Sequence, residues 1–376
     1  MTVARARKEE KEANSFFTVS LILATVTAII VGASFLVFRK EILGFFGAKN
    51  SAVLEAAMGY SHYIAMALPL FVFVNFLMAF VRNDQDPVLP AVATVLSGVF
   101  NIFGDVFFVF DFGLGMGAEG AGLATAIGQC ITVLILCIHF FKKSSNLRIR
   151  KTVGFLKQAK ELLGIGLSSF LLDISMGILI FLFNNQINVL TNKDATILGV
   201  FGIICNMMTL VQSFSYAVGQ ASQPLLSEAF GKENTGRIKK IKKYGLVSSL
   251  AVGIFFFVLF MADPTLLVRL FINTETNPEA IGVGQKLIRL FFFAVPLLSV
   301  NVFYAYYYQS MKLALKSFLV SFSRGLLFPC IFIFTLPLIR FDCIFLSVSL
   351  SDLIVFACVL TMETAGKRKN ALPKKL

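Results

Sequence analysis

Charge is scarce in this sequence. Asp, Glu, Lys and Arg make up only 15% of its 376 residues, against roughly 25% in an average soluble domain. Hydrophobic residues make up 57%, and the mean hydropathy is +0.81. Such a composition excludes an ordinary soluble domain and indicates a protein that crosses a membrane several times.

Motifs for catalysis and metal binding are also lacking. The sequence contains no H-E-x-x-H, no Walker-type Gly-rich loop with Lys and no G-x-S-x-G. It has no C-x-x-C, and its two His, His62 and His139, are widely separated. The six Cys lie within or at the ends of apolar runs, where they are typical core residues. We therefore expect no enzyme activity, no metal site and no cofactor, and any transport has to be driven by an ion gradient.

Long apolar stretches dominate what is present. Each is free of charge or carries a single charge, and each is long enough to cross a bilayer as a helix, which takes about 20 apolar residues. They cover residues 13–38, 56–81, 87–110, 120–141, 162–192, 195–227, 244–262, 290–311, 317–339 and 343–362. The sequence therefore predicts an all-α membrane protein with ten transmembrane helices.

The net charge of +13 is concentrated between these stretches. The basic clusters are Arg5–Lys11, Lys142–Lys160, Gly231–Lys243, Lys312 with Lys316, and Lys367–Lys375. Because an even number of helices separates each cluster from the next, all of them fall on one face, which the positive-inside rule makes cytoplasmic. Arg39, Lys40 and Lys49 are a weak exception. We expect a plasma-membrane (inner-membrane) protein with both termini inside, whose basic clusters contact anionic lipid headgroups and not nucleic acid.

Residues 65–100 and 291–328 resemble each other. The matched anchors are Pro69 with Pro296, Asn75 with Asn301, and Gly98 with Gly325, at an offset of 227 (296 − 69) or one residue less. A transporter built from two repeated halves explains the pattern, and chance similarity between apolar helices is the alternative.

The repeat leaves the first half shorter than the second. Helices predicted near 157–190 and 195–228 belong to the second half, and the same offset places their first-half counterparts before Met1. The first half therefore shows four helices and the second six. Either Met1 is not the true start of the protein, or the protein is a shortened form.

Three segments carry a resemblance to a known family. They are residues 81–129 (VRNDQDPVLPAVATVLSGVFNIFGDVFFVFDFGLGMGAEGAGLATAIGQ), 166–177 (GLSSFLLDISMG) and 215–234 (SYAVGQASQPLLSEAFGKEN). The first resembles the pattern Asn-x-x-x-Asp before an aromatic run, a Gly-rich turn and an Ala/Gly-rich helix. In order and spacing the chain is similar to the multidrug and toxic compound extrusion (MATE) family, from its third helix to its twelfth.

The resemblance implies two pseudo-symmetric helical bundles around a cavity that opens alternately to each side. The first lobe would be residues 1–141, incomplete with four helices, followed by a cytoplasmic amphipathic linker, 142–161, and a six-helix second lobe with a basic tail, 162–376. It also implies export of cationic or amphipathic organic compounds in exchange for H⁺ or Na⁺. The family has twelve helices, and in part of it the first helix contributes an acidic residue to the ion site of the first lobe, so the resemblance implies that this sequence carries only part of that site.

Asp105 is the first candidate site residue. It is the only charge between Pro87 and Phe110, and a charge inside a membrane span costs about 2.5–3.5 kcal/mol on insertion scales. Asn101 lies one turn earlier on the same helical face, where its amide could hydrogen-bond the carboxylate or share a cation with it. We expect Asp105 to bind a coupling cation and a cationic substrate in turn; a purely structural polar contact is the alternative.

The second half carries further charges inside its spans. Asp173 lies where related sequences carry an acidic residue, and it is either a second cation or substrate site or a mere interface position. Arg324 and Asp352 lie in neighbouring helices and are predicted to pair, each lowering the burial cost of the other.

Several polar and aromatic positions allow a purely structural interpretation beside the functional one. Gln220 and Gln223 are either gating residues or ordinary inter-helix contacts. Pro69 and Pro296 suggest repeated kinks that act in rocking or only in packing. The cluster YAYYYQ (304–309) favours an aromatic belt at the membrane interface.

Three functions remain open from the sequence. The first is an ion-coupled antiporter for small organic cations, which we expect to be monomeric. The second is a lipid-linked sugar flippase of the same superfamily, although such a protein needs several cations for pyrophosphate and Arg324 is the only Arg or Lys well within a span. The third is an incomplete remnant that does not transport.

Overall fold

The computed structural model describes residues 1–45, 51–152, 154–192, 194–272 and 277–371, and within these ranges the secondary structure is helical without a strand. Lys49 and the end of the basic tail, 372–376, lie outside the described residues. The chain divides into two compact units, Met1–Lys160 and Glu161–Leu376.

The first unit is built from two long helices near its amino end and a helical hairpin after them. Its helices are α1 (Thr2–Ala6), α2 (Glu10–Val37), α3 (Arg39–Phe45), α4 (Ser51–Asn83), α5 (Val88–Val109) and α6 (Ala118–Cys137), with a 3₁₀ turn, Ile138–Phe141, after α6. Within the unit, α4 packs against α2 and α6, and α5 packs against α6.

The second unit begins within α7 and has α12 at its centre. Its helices are α7 (Phe155–Leu190), α8 (Ala195–Gly231), α9 (Thr235–Ala262), α10 (Pro264–Phe271), α11 (Glu279–Phe292), α12 (Val295–Ser310), α13 (Ala314–Phe322), α14 (Phe328–Thr335) and α15 (Ser347–Ala371). A π-helical turn, Ser323–Leu327, joins α13 to α14, and 3₁₀ turns at Leu336–Leu338 and Phe341–Leu346 lead to α15. Helix α12 packs against α8, α9, α13 and α15.

The described residues contain ten helical segments long and apolar enough to cross a membrane, and this confirms the predicted number. Nine of the ten segments are longer than the apolar runs from which they were predicted, and the third, Val88–Val109, is slightly shorter. The fifth starts at Phe155, inside the predicted linker, and the seventh starts at Thr235, inside a basic cluster. Lys and Arg are good helix formers, so a helix does not have to end where its apolar run ends.

Side chains of the connecting segments cap several helices. The Asp194 carboxylate accepts hydrogen bonds from the backbone N–H groups of Thr196 and Ile197 at 2.8 and 3.2 Å. The Asn234 side chain likewise accepts from the N–H of Arg237 at 2.9 Å. These caps satisfy N–H groups that lack partners in the first turn of a helix, and they fix where α8 and α9 begin.

Aromatic rings fill the interior of both units. In the first unit, the ring of Phe17 lies between Phe76 and Phe80, with centroids 5.6 and 5.2 Å away. In the second, Phe183 contacts Phe201 at 5.1 Å. Many side chains on the outer faces of the helices are exposed and apolar, as a lipid-facing surface requires.

The two repeated prolines occupy different local structures. Pro69 lies inside the continuous helix α4, whereas Pro296 lies in the first turn of α12, after α11 has ended at Phe292. Each nevertheless packs against a glycine of an earlier long helix. A Cβ at Gly32 would lie 3.2 Å from the Pro69 ring, and one at Gly253 would lie 2.5 Å from the Pro296 Cα. The glycines therefore allow close helix contact in both units.

Candidate functional site

Asp105 lies in the first unit, little more than one turn before the end of α5. Its side chain is half-buried, and its Oδ1 atom is buried without a hydrogen-bond partner. A buried acceptor with no partner costs about 1–3 kcal/mol, and more when the group is charged. The carboxylate thus has unused capacity for a proton or a cation.

Asn101 does not hydrogen-bond Asp105 in the structure, in contrast to the contact that its spacing suggested. Its amide Nδ2 donates instead to the Thr125 hydroxyl on α6, at 3.4 Å. The Thr125 hydroxyl donates in turn to the Ala121 carbonyl at 3.0 Å. The spacing places Asn101 one turn from Asp105 on α5, but the hairpin with α6 brings its amide to a hydroxyl of the neighbouring helix. Thr125 is thereby linked to Asn101.

Asp173 lies on α7 in the second unit, and its side chain is exposed. Its neighbour Leu172 is buried, and the Leu172 carbonyl accepts a hydrogen bond from the Tyr216 hydroxyl at 3.3 Å. Asp105 belongs to the first unit and Asp173 to the second.

Arg324 and Asp352 form a buried pair in the second unit. Arg324 Nε donates to Asp352 Oδ1 at 2.7 Å, and their side chains are only 5% and 1% exposed. Asn301 of α12 completes the group, because its Nδ2 donates to the same Oδ1 atom at 3.0 Å and to the Asp352 carbonyl at 2.8 Å. Asn301 Oδ1 is buried without a hydrogen-bond partner.

A cleft opens beside this pair, entirely within the second unit. Its cavity volume is about 30 Å³, and the empty space reaches about 450 Å³ when the open side is included. Its lining residues are Ser175, Met176, Leu179, Ile180, Phe183, Phe201, Cys205, Met208, Gln212, Phe291, Arg324, Gly325 and Val348. Apolar walls with a few polar groups are typical of small-molecule sites.

The π-helical turn Ser323–Leu327 carries Arg324 to the edge of this cleft. Such turns are rare and occur often at functional sites. The turn approaches α7 closely at Gly325, where a Cβ would lie 2.5 Å from the Ser175 hydroxyl oxygen. A glycine is thus needed to hold the turn, and with it Arg324, against α7.

Gln220 and Gln223 contribute to a polar ladder between α8 and α12. Gln220 Nε2 donates to the Tyr306 hydroxyl at 3.4 Å, and Gln223 Nε2 donates to Gln309 Oε1 at 3.3 Å. Nearer the start of α12, the hydroxyls of Ser215 and Ser299 lie 2.9 Å apart and are fully buried. These contacts are inter-helix hydrogen bonds within the second unit.

The YAYYYQ segment is mostly buried, and the prediction of an interfacial belt is wrong. Tyr304 and Tyr308 are 6% and 1% exposed. The Tyr308 hydroxyl donates to Glu363 Oε1 at 2.8 Å. Glu363 also pairs with Lys242, whose Nζ lies over the Tyr307 ring at 4.4 Å. The tyrosines therefore surround a partly buried ion pair that joins α9, α12 and α15.

A second charged group, which the sequence patterns did not reveal, lies at the ends of α4 and α6. His139 is fully buried, with Nε2 2.8 Å from Asp84 Oδ2 and Nδ1 3.0 Å from Asp86 Oδ2. Arg5 pairs with Asp84, and Lys142 Nζ lies 2.6 Å from Asp86. Two carboxylates and three basic side chains thus meet at the ends of these two helices.

Asp86 lies outside the membrane-spanning segments. Burial by itself raises the pKa of its carboxyl, but the hydrogen bonds from Lys142 and His139 and the charge of Lys142 outweigh it. The pKa of Asp86 therefore lies below its ordinary value. In the sequence, the signal was an acidic pair, Asp84 and Asp86, directly after a long apolar run; nothing in it located a partner more than fifty residues later.

Known proteins match this chain in sequence. The MatE family model matches residues 3–107 and 189–335, which together are more than half of the chain. Multidrug export protein MepA of Staphylococcus saprophyticus is 30% identical over 164 residues, 43% of this chain and 33% of the relative. Multidrug export protein MepA of Staphylococcus haemolyticus is 22% identical over 273 residues, 72% of this chain and 57% of the relative. The chain thus spans between a third and three fifths of the length of these relatives.

A solved structure described as the outward-facing conformation of a multidrug resistance MATE family transporter has the same fold. It superposes with a TM-score of 0.85 and 20% sequence identity, over 100% of this chain and 82% of that chain. The all-helical fold predicted from the sequence is confirmed by this likeness, and the suspected family is confirmed by the family model. By the match over most of its length, this membrane protein belongs to the MatE family.

Proposed function

We propose that this chain is a secondary transporter that exports amphipathic organic compounds in exchange for H⁺ or Na⁺ moving inward, with Asp105 as the binding group for the coupling cation. One observation carries the proposal. Inside an apolar span, Asp105 has a carboxylate oxygen that is buried and has no hydrogen-bond partner. A charged group held in a span is costly and usually functional.

The neighbours of Asp105 support a cation as its ligand. Asn101 lies one turn away on the same helix, and Thr125 lies on the adjacent helix in contact with Asn101. Carboxylate, amide and hydroxyl oxygens are suitable ligands for hard cations, and the carboxylate alone suffices for a proton. A proton or cation on Oδ1 removes the cost of the unpaired buried oxygen.

Export of organic compounds is supported by the relatives. Two of them are named multidrug export proteins, and they match 43% and 72% of this chain. We propose cationic dyes as the first cargo to examine, and cytoplasmic termini as the orientation, because the basic clusters lie between the spans where the positive-inside rule requires them.

Dye accumulation in whole cells tests the proposal. Cells that express the chain should accumulate less ethidium than cells without it, and Asp105→Asn should restore accumulation to the level of cells without the protein. Asp111→Asn is the matched control, because it removes the same charge from an exposed carboxylate just after α5. Unchanged efflux in Asp105→Asn, with equal amounts of both proteins in the membrane, would show that Asp105 does not bind the coupling cation.

A further inference from the structure

The cleft of the second unit has one charged group at its edge. Within the described part of the chain, Arg324 is the charged residue among those that line it, and the rest of the wall is mainly Met, Phe, Leu, Ile and Val. The guanidinium is almost completely withdrawn from solvent, with 5% of the side chain exposed. Whatever enters the cleft therefore meets a cation in apolar surroundings.

Most hydrogen-bonding capacity of this guanidinium is unused. Arg has five N–H donors, and Nε uses one of them on Asp352. No hydrogen bond from the terminal nitrogens to another described residue is found, and the side chain borders the cleft. Buried donors in proteins almost always have acceptors, which water or a ligand in the cleft can supply here.

Two acceptors line the cleft, but neither is bound to Arg324 within the described residues. They are the Ser175 hydroxyl oxygen, whose O–H donates to the Leu172 carbonyl at 3.1 Å, and the amide oxygen of Gln212. Asp352 is bound at Oδ1 by Arg324 Nε and by Asn301, and it does not line the cleft. The terminal nitrogens of Arg324 therefore remain available to an acceptor that enters the cleft.

We infer that the second-unit cleft binds a small amphipathic carboxylate, whose anionic group is held by the terminal nitrogens of Arg324 and whose apolar part lies against the Met and Phe wall. The planar guanidinium fork matches a carboxylate with two parallel hydrogen bonds. A ligand with a cationic head is repelled by the Arg324 charge. The carboxylate of Asp352 binds at Nε, away from the terminal nitrogens that are available to a ligand. A pyrophosphate needs several cations, and the lining of this cleft has one within the described residues.

This inference extends the cargo of the transporter proposed above to organic monoanions. Only the export of the bound anion rests on that proposal. Binding itself needs neither an ion gradient nor Asp105. A failure of binding and a failure of export are therefore separate results.

Calorimetric titration of the full chain in lipid nanodiscs tests the site, with empty nanodiscs as the blank. The probes are 4-phenylbutyrate, 4-phenylbutylamine and 4-phenylbutanamide, which share one apolar tail and carry an anionic, a cationic and a neutral head. We expect 4-phenylbutyrate to bind at least tenfold more tightly than the other two. Equal or tighter binding of the amine would overturn the inference.

Variants locate the binding. Arg324→Gln combined with Asp352→Asn removes both charges and leaves neither unpaired, and it should abolish the preference for the carboxylate. Arg269→Gln, which removes an exposed Arg of the same unit, should leave the preference unchanged. Retention of the preference in the double variant would refute the role of Arg324.

A variant that leaves the ion pair intact keeps the test decisive if the double variant does not fold. Cys205 lines the cleft, and Cys205→Phe should fill the space and weaken 4-phenylbutyrate binding at least tenfold. Cys205→Ala is its control and should bind normally. Undiminished binding by Cys205→Phe would place the ligand elsewhere and overturn the inference.

Discussion

Removing both charges of the Arg324–Asp352 pair should cost no more stability than removing one of them. In Asp352→Asn the guanidinium remains buried without a counter-charge, and in Arg324→Gln the carboxylate does. Breaking a buried pair in this way typically costs about 3–5 kcal/mol. The side chains are 5% and 1% exposed, and the bond between them is 2.7 Å long, so this pair belongs to the buried class.

The magnitude follows from where the pair lies. Arg324 borders a cleft that is open on one side, through which water can reach the unpaired charge, so we take the lower limit of about 3 kcal/mol for each single variant. Independent effects would then sum to about 6 kcal/mol. In the double variant no charge is left unpaired, and we expect a loss of about 3 kcal/mol or less. The coupling energy should therefore be at least about 3 kcal/mol, at the upper end of the range for residues in contact.

Denaturant titration in mixed micelles, followed by the circular dichroism of the helices, measures the four free energies of unfolding. Folding of each variant is checked beforehand by size-exclusion chromatography. Additive losses, with a coupling energy below about 0.5 kcal/mol, would show that the two charges are stabilised independently and would refute the reasoning.

Three further perturbations concern other polar groups. Tyr308→Phe removes the hydrogen bond to Glu363 and should lower the free energy of unfolding by about 1.5–3 kcal/mol, as is typical of hydrogen bonds to charged groups. The pKa of Asp86 lies below its ordinary value, so the ionised carboxylate stabilises the folded protein above the unfolded-state pKa. This contribution should be lost as the pH falls through the folded-state pKa. The free energy of unfolding of Asp86→Asn should therefore change less with pH in the acid range. Ser215→Ala leaves the Ser299 hydroxyl without its partner and should cost about 1–3 kcal/mol, whereas replacing both Ser by Ala should be nearly neutral.

Controls for these variants come from the same helices. Ser213→Ala removes an exposed hydroxyl of α8 that donates within its own helix, and it should change stability by less than about 0.5 kcal/mol. Equal effects of Ser213→Ala and Ser215→Ala would contradict the role given to the buried pair. An acid titration of Asp86→Asn that is as steep as that of the unchanged protein would contradict the role given to the Asp86 contacts.

The sequence predicted the spans well because hydrophobic length is a local property. Ten apolar runs became ten helical segments, and the differences are at helix ends such as Phe155 and Thr235. A charge inside an apolar run is also a local signal, which is why Asp105, Arg324 and Asp352 stand out in the sequence alone.

Partners across helices were harder to predict, since they depend on rotation and packing. The amide of Asn101 reaches Thr125 on the next helix, although its spacing pointed to Asp105. Asn301 reaches Asp352, which lies 51 residues later in the chain. The segment YAYYYQ has the composition of a membrane-interface belt, but α12 lies at the centre of its unit, so most of its tyrosines are buried. The cleft beside Arg324 depends on a π-helical turn that no local sequence pattern predicts.

Gradient-driven transport by the purified chain tests the central claim most directly. Liposomes that contain the 376-residue protein are loaded with ethidium, and an H⁺ or Na⁺ gradient directed into the liposomes is imposed. Our account predicts that one of the two gradients accelerates the loss of dye and that Asp105→Asn abolishes the acceleration. Dye loss at the same rate with and without either gradient would contradict it.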